Sequence, residues 1–184
     1  MLVSALLSLT ASFVLSVDAI VLAADPHAAL ACNINAVLSC GTVGASWQAS
    51  LFGFPNAFLG LIAEPVVITI AVASLGGVRF PRWFMLSAQV VYTLGLIFAY
   101  WLFFQAYFVI GALCPWCLLV TLSTTLVFTS LTHVNIRDEN LYLPGGVSTA
   151  ARRFVAADLD VLVVGLFLLA IVTMVVVKYA PLMA

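Results

Sequence analysis

The stretch that decides the fold is the uncharged segment at residues 83–132, which reads WFMLSAQVVYTLGLIFAYWLFFQAYFVIGALCPWCLLVTLSTTLVFTSLT. A single helix of this length would be about 75 Å long at about 1.5 Å per residue, whereas the hydrocarbon core of a bilayer is about 30 Å thick. The segment must therefore fold back on itself, and Gly111 and Pro115 mark the turn. The sequence predicts two membrane spans here, at about residues 83–104 and 114–131.

The composition of the whole chain agrees with a membrane location. Of its 184 residues, 65% are hydrophobic and 7% are charged, and the mean hydropathy is +1.26. A water-soluble domain is roughly a quarter charged, and a chain of this size cannot hide so much apolar surface from water. There is also no basic cluster for nucleic acid and no glycine-rich phosphate loop.

Three further segments are apolar enough to span a bilayer, namely residues 2–24, 56–75 and 161–177. We therefore predict an all-α integral membrane protein with five transmembrane helices. Residues 1–184 would form a single transmembrane domain, in which residues 25–55 make a polar cap loop on the outward face.

The positively charged residues predict the orientation in the membrane. Five of the six Lys and Arg residues fall in the two loops that share one side of a five-span topology. They are Arg79, Arg82, Arg137, Arg152 and Arg153. Because cytoplasmic loops carry an excess of Lys and Arg, that side is expected to be cytoplasmic. The cap loop would then face the periplasm or the extracellular space.

A Cys-Pro-Trp-Cys motif at the start of the fourth span is the most specific chemical signal. Residues three apart on a helix are neighbours, so Cys114 and Cys117 lie on one face. Pro115 is tolerated at the first helical position because its missing N–H would have no partner there. The helix N-terminus stabilises the Cys114 thiolate, which suits a pair that alternates between dithiol and disulfide. Cys117 lies one turn deeper, within reach of an oxidant dissolved in the membrane.

The other two cysteines, Cys32 and Cys40, lie in the polar cap loop. A mobile loop could carry a disulfide between a soluble partner and the fixed pair in the helix, which would make the four cysteines a relay. Four cysteines allow three complete connectivities, and the sequence does not choose among them. Two structural disulfides and a zinc site of four cysteines stay open as alternatives. Haem attachment is excluded because Leu118, not histidine, follows the motif.

Several of these features together resemble the vitamin K epoxide reductase family. They are Cys32 and Cys40 with seven residues between them, Ser46, the helix-opening segment PNAFLG at residues 55–60, and the Cys-x-x-Cys that heads the fourth span. The resemblance extends over residues 17–131. The DsbB family performs related chemistry but has its Cys-x-x-Cys in the first outer loop, so it matches less well.

The resemblance implies a four-helix bundle around a quinone pocket, with the cap loop above it and an extra helix at one end. It implies that Cys114 and Cys117 are the redox centre and that Cys117 meets a quinone of the menaquinone, ubiquinone or vitamin K type. It further implies that Cys40 exchanges with Cys114, and that Cys32 exchanges with a protein partner.

The same resemblance suggests residues that bind the quinone. Asn56 matches an asparagine that hydrogen-bonds a quinone carbonyl, and Ser46 matches a residue that helps to close the cap. Trp116, between the two cysteines, is a candidate stacking residue, although an interfacial aromatic belt also predicts a tryptophan there. Thr121 and Gly44 replace a tyrosine and a phenylalanine of vertebrate members. These departures favour a bacterial-type homologue. Since the chain contains no thioredoxin-like domain, a separate thioredoxin-like (DsbA-like) partner is expected.

Two acidic residues, Asp18 and Glu64, interrupt the apolar spans, where charge is costly and often functional. Asn56, Gly60 and Glu64 follow at intervals of four, so they share nearly one helix face. Either acid could relay protons to a reduced quinone, or could be a protonated acid hydrogen-bonded between helices. Asp18 and the lack of preceding basic residues also favour a retained first helix over a cleaved signal peptide.

The leading interpretation is a quinone-dependent thiol/disulfide oxidoreductase of the cell membrane that supports disulfide bond formation. A vitamin K quinone or epoxide reductase of the eukaryotic type is one alternative. A small membrane transporter with structural disulfides, in which Asp18 and Glu64 bind the cargo, is another, and a structural membrane subunit is a third.

Overall fold

The fold consists of helices. The computed structural model describes residues 1–35 and 37–183. Five long apolar helices in this part are able to cross a membrane. They are α1 (Leu2–Ala24), α3 (Ala57–Leu75), α4 (Arg82–Phe104), α5 (Pro115–Arg137) and α7 (Leu159–Met183). Between them lie α2 (Cys40–Gly44), a 3₁₀ helix (Trp47–Ser50), a π-helical turn (Gln105–Ile110) and α6 (Gly145–Ala156). The predicted class, an all-α membrane protein with five transmembrane helices, is confirmed.

Helix α1 packs against α3 and α5 through a face of small residues. Ala5, Ser8, Ser12 and Ser16 are all buried on this face. Between helices in a membrane, small side chains let the backbones approach closely and supply packing contacts that lipid cannot. The approach is tightest at Gly60 of α3, where an added Cβ would lie 2.1 Å from Ser12 Oγ.

The chain folds back after α4 through the π-helical turn and Gly111. Gly111 has φ +75°, a left-handed conformation that glycine adopts without steric cost. Cys114 then caps α5, so the turn places the Cys-Pro-Trp-Cys motif at one end of the bundle. The reversal occurs where Gly111 and Pro115 predict it.

Helix α5 continues to Arg137, six residues beyond the predicted end of the span at residue 131. The extension includes Asn135, which is fully buried. Its amide nitrogen donates to Gln89 Oε1 over 2.9 Å and to the Met85 carbonyl over 3.3 Å, and its Oδ1 accepts from Asn140 over 3.1 Å. Because partners from α4 and the following turn satisfy this polar group, the helix accommodates it without leaving a buried polar group unpaired.

Helix α7 is attached to the bundle near both of its ends. At one end Asp160 Oδ2 lies 2.8 Å from His133 Nδ1 of α5. At the other, Lys178 Nζ donates to the Tyr107 carbonyl and lies 3.8 Å from the centre of the Tyr107 ring. The amphipathic helix α6 lies between α5 and α7. These contacts place α7 beside the four-helix bundle formed by α1, α3, α4 and α5.

Replacing Gly60 by alanine is expected to destabilise the bundle by about 1–3 kcal/mol, the usual cost of overpacking a close contact. The added Cβ would clash with Ser12, so α1 and α3 would have to move apart. The measurement is the thermal unfolding midpoint in detergent. Gly165→Ala on α7 is the matched control, because an added Cβ there meets nothing within 4 Å. Equal midpoints for the two variants would contradict the proposed close approach.

Candidate active site

The cap loop is joined to the start of α5 by main-chain hydrogen bonds. Leu113 N donates to the Val37 carbonyl over 2.8 Å, and Ser39 N donates to the Leu113 carbonyl over 3.0 Å. These bonds form a short parallel bridge between Leu38 and Leu113. Cys40 comes two residues after Leu38, and Cys114 comes one residue after Leu113. The pairing therefore places Cys40 directly beside Cys114.

The four sulfur atoms are arranged as one disulfide and two free thiols. Cys32 and Cys40 are bonded to each other, while Cys114 and Cys117 are free. Cys114 Sγ lies 3.2 Å from Cys40 Sγ, and both residues are buried. Of the three complete connectivities that the sequence allows, the structure therefore contains the bond within the loop pair. The contact between Cys114 and Cys40 is close enough for bond exchange.

A polar turn that the sequence analysis did not single out positions Cys40. Asn33 Oδ1 accepts hydrogen bonds from Gly41 N over 2.8 Å and from Ser39 Oγ over 3.1 Å. Ser39 in turn caps α2 by accepting from Thr42 N over 3.2 Å. The signal in the sequence was an asparagine next to one cysteine and a serine and glycine flanking the other, since such residues commonly bond to nearby backbone groups.

Cys114 is the N-cap of α5, and its sulfur accepts a hydrogen bond from Cys117 N over 3.3 Å. Hydrogen bonds from the Cys117 thiol and from the N–H groups of Cys117 and Trp116 lower the pKa of Cys114, although burial opposes the shift. These donors stabilise the thiolate more than the thiol. The sulfur that touches the loop disulfide is therefore the one best prepared to act as a nucleophile.

A cavity of about 500 Å³ lies below the cysteines, among α1, α3, α4 and α5 and under the cap. Its volume is within the range of small-molecule sites, about 300–1,000 Å³, and its walls are mostly apolar. Cys40, Cys114 and Cys117 lie along one part of its wall. The cavity extends past them to Glu64 and Tyr92. The size and the apolar walls of the cavity suit a flat apolar molecule beside Cys117.

The profile of the vitamin K epoxide reductase family matches residues 1–132. This chain belongs to that family. The match includes all four cysteines, α1, α3 and α4, and ends within α5. No curated protein is significantly similar to the chain. Membership of the family supports an oxidoreductase of the membrane whose function is linked to a quinone, and the apolar cavity beside Cys117 fits that class of substrate.

Asn56 is predicted to bind a quinone carbonyl and Ser46 to help close the cap. Both residues line the cavity. Asn56 Nδ2 donates to the Gln48 carbonyl over 2.6 Å, and its Oδ1 accepts from Leu51 N over 3.2 Å. Ser46 Oγ donates to the Val43 carbonyl over 2.6 Å. Both side chains thus bind the backbone of the cap. Asn56 retains one N–H, because an amide nitrogen has two donors.

Thr121 and Trp116, the other two predicted binding residues, occupy different environments. Thr121 lines the cavity one turn beyond Cys117 and donates to the Cys117 carbonyl over 2.9 Å. Trp116 is not among the described residues that line the cavity. It packs instead against the buried cluster that contains the Cys32–Cys40 disulfide and Cys114. In this family member the tryptophan of the motif is therefore placed to support the sulfurs.

The two acidic residues within the spans also line the cavity. Glu64 is buried and accepts a hydrogen bond of 2.7 Å from the Tyr92 hydroxyl. Asp18 Oδ2 lies 3.5 Å from Cys32 Sγ. Asp18, Cys32 and Cys40 are also close enough together to suggest a metal site. Because Cys32 and Cys40 form a disulfide, the two thiolates that a metal site would need are absent.

In a reduced chain, Cys117→Ala is expected to raise the pKa of Cys114, because it removes the thiol whose hydrogen bond most lowers that pKa. Thiolate absorbance in the ultraviolet, followed against pH, measures the change. Cys32→Ser and Cys40→Ser in the background leave only Cys114 and Cys117 to titrate. The curve for Cys114 should move to higher pH when Cys117 is replaced. An unmoved curve would show that the Cys117 thiol contributes nothing.

Asn33→Ala is expected to weaken the Cys32–Cys40 disulfide, because the turn at Gly41 loses its side-chain acceptor. With about 1 kcal/mol for one net hydrogen bond, the equilibrium constant against glutathione should fall about fivefold. The measurement uses a chain with Cys114→Ala and Cys117→Ala, so that only the loop pair is oxidised. Asn33→Asp keeps the accepting oxygen and is the control. If both variants leave the constant unchanged, Asn33 does not stabilise the turn.

Proposed function

We propose that the chain is a quinone-linked oxidase of protein thiols that supports disulfide bond formation. Electrons would pass from a separate thioredoxin-like protein to Cys32–Cys40, then to Cys114–Cys117, and finally to a quinone in the membrane. The observation that carries this proposal is the contact of 3.2 Å between Cys114 Sγ and Cys40 Sγ, with Cys117 lining the apolar cavity behind it.

The redox state of the four cysteines corresponds to one point in such a cycle. When Cys114–Cys117 is a disulfide and the loop pair is reduced, the Cys40 thiolate attacks Cys114 and Cys117 leaves as a thiolate. Cys32 then attacks Cys40, the loop disulfide forms, and Cys114 leaves with the electron pair. The result is an oxidised loop pair beside two free thiols, which is the arrangement in the structure.

In this proposal the two cysteines of the helix have different roles, and their positions support the assignment. Cys114 faces the loop disulfide, whereas Cys117 lies in the first turn of α5 and lines the cavity. When bound, the quinone supplies an acceptor for two electrons and two protons. The remaining N–H of Asn56 can orient a carbonyl oxygen. The apolar wall excludes water, and Ser46 and Asn56 keep the cap folded over the cavity.

The proposed partner would approach the loop pair at Cys32. This assignment leaves Cys40 for the exchange with Cys114, which it touches. In the oxidised loop Cys32 is buried, but Ile34, two residues further along the loop, is 65% exposed. A short displacement of the loop would therefore uncover Cys32, while the main-chain bonds at Leu113 could persist. A thioredoxin-like dithiol is the matching chemical class, because it reacts by the same disulfide exchange.

The charge distribution supports an outward-facing site. The cysteines lie at one end of the bundle, by the start of α5, and the loop between α3 and α4 and the segment after α5 lie at the other. Arg79 lies in that loop, Arg82 begins α4 and Arg137 ends α5, and Arg152 and Arg153 lie in α6. By the positive-inside rule, the arginine end is cytoplasmic, so the cysteines face the periplasm or the extracellular space, where disulfides persist.

The test is an oxidation assay in detergent with a reduced thioredoxin-like protein and a soluble quinone analogue. The unmodified chain should consume partner thiols only when the quinone is present. Cys117→Ala should lower quinone reduction to background and accumulate chains trapped at Cys114. Cys32→Ala should lose the protein substrate but still oxidise a small dithiol that reaches Cys40 directly.

Gly165→Ala is the control variant for this assay, since it changes the surface of α7 away from every cysteine. It should turn over like the unmodified chain. If Cys117→Ala and Cys32→Ala both oxidised the protein partner at the normal rate, the electron route would be wrong.

A further inference from the structure

Asp18 of α1 is an acidic residue that contacts the loop pair from within the bundle. Its Oδ2 lies 3.5 Å from Cys32 Sγ, an ordinary separation for a hydrogen bond to sulfur. In the oxidised loop the Cys32 sulfur is bonded to Cys40 and has no proton to donate to the carboxylate. A proton can pass from Cys32 to Asp18 only when Cys32 is a thiol, which is the state before the loop disulfide forms.

Apart from Cys32, no residue in the described part of the chain forms an ion pair or side-chain hydrogen bond with Asp18. Its carboxyl group contacts the sulfur of Cys32. An unpaired acid in a membrane helix is costly and is usually kept for a function. Glu64, by contrast, has the Tyr92 hydroxyl as a partner between helices.

We infer that the Asp18 carboxylate is a catalytic base that takes the proton of the Cys32 thiol as this sulfur attacks the Cys40–Cys114 mixed disulfide. The inference rests on the proposed function, of which it specifies one step. A thiol ordinarily has a pKa of about 8.5, so only a small fraction is thiolate at neutral pH. A carboxylate in contact with the sulfur can remove the proton in the transition state.

The atoms and electrons of the step balance. Cys32 loses its proton to Asp18, the bond between Cys32 Sγ and Cys40 Sγ forms, and the bond between Cys40 Sγ and Cys114 Sγ breaks. Cys114 leaves as a thiolate that keeps the electron pair, stabilised by the N–H groups at the start of α5. When a partner dithiol later reduces the loop pair and Cys32 leaves as a thiolate, protonated Asp18 can return the proton.

The other titratable groups around Asp18 are the four cysteines themselves. Cys32 and Cys40 face it from the loop, and Cys114 and Cys117 face it from α5. From α3, Glu64 lines the same cavity, about two turns beyond Asn56. The described surroundings contain no cation paired with Asp18. The pH dependence of the step should therefore be governed by the carboxyl group and the Cys32 thiol.

The test follows only the transfer of the disulfide from Cys114–Cys117 to Cys32–Cys40, without quinone or partner. The chain is prepared with Cys114–Cys117 oxidised and Cys32 and Cys40 reduced, and the disulfides are mapped by acid quenching and mass spectrometry. In Asp18→Asn at neutral pH, the Cys40–Cys114 mixed disulfide should accumulate and resolve at least about 100-fold more slowly, the lower range for loss of a general base. In this variant the rate of resolution should rise with pH and reach its plateau at a higher pH than the rate in the unmodified chain.

Two further variants separate catalysis from structure. Asp18→Glu keeps a carboxylate and should recover much of the rate, with a pH profile like that of the unmodified chain. Asp25→Asn removes the same charge from the C-cap of the same helix and should leave the resolution rate unchanged. If Asp18→Asn fails to fold, Asp18→Ser with added formate tests the same step, and rescue by formate is the expected result.

The outcomes distinguish this inference from the proposed function. If the unmodified chain never moves the disulfide from the helix pair to the loop pair, the proposed electron route fails. If the unmodified chain transfers it and Asp18→Asn resolves the mixed disulfide equally fast at every pH, the route stands and Asp18 is not the base. A slow Asp18→Asn whose pH profile is unchanged, or no rescue by Asp18→Glu, would also overturn the inference.

Discussion

The two main-chain hydrogen bonds of Leu113, to Val37 and from Ser39, are the constraint on which the site depends. They join a polar loop to the start of a membrane helix across more than 70 residues of sequence. Loop closure over such a distance has an entropic cost, and the burial of Leu113 together with the polar turn at Asn33 offsets it. With this pairing in place, Cys40 and Cys114 become neighbours.

The site combines one fixed sulfur pair with one that can be displaced. Cys114 and Cys117 belong to the first turn of a helix packed in the bundle, whereas Cys32 and Cys40 are held by hydrogen bonds of a short loop. Breaking a few loop bonds costs far less than moving a transmembrane helix, because each contributes only about 1 kcal/mol net. In the proposed cycle, the loop pair can therefore meet a soluble partner while the helix pair stays against the cavity.

Polar groups within the bundle sort into two kinds. Asn135 and Glu64 have partners on neighbouring helices, and such pairing is what allows a polar side chain to remain in an apolar medium. Asp18 differs, since its contact is the Cys32 sulfur, which changes its bonding in the proposed cycle. Polar side chains in the bundle thus hold the helices together and, by our inference, assist the chemistry of the cysteines.

The sequence by itself determined the membrane location, the number of spans and the redox motif. Hydropathy and helix length are local properties, and the hydrocarbon thickness converts them directly into spans. Sequence could not determine which sulfurs are bonded, the position of Trp116 outside the cavity wall, the role of Asn33, or the contact of Asp18 with Cys32. Only the tertiary structure decided these, because each depends on how the loop pairs with the bundle, and no local pattern encodes that pairing.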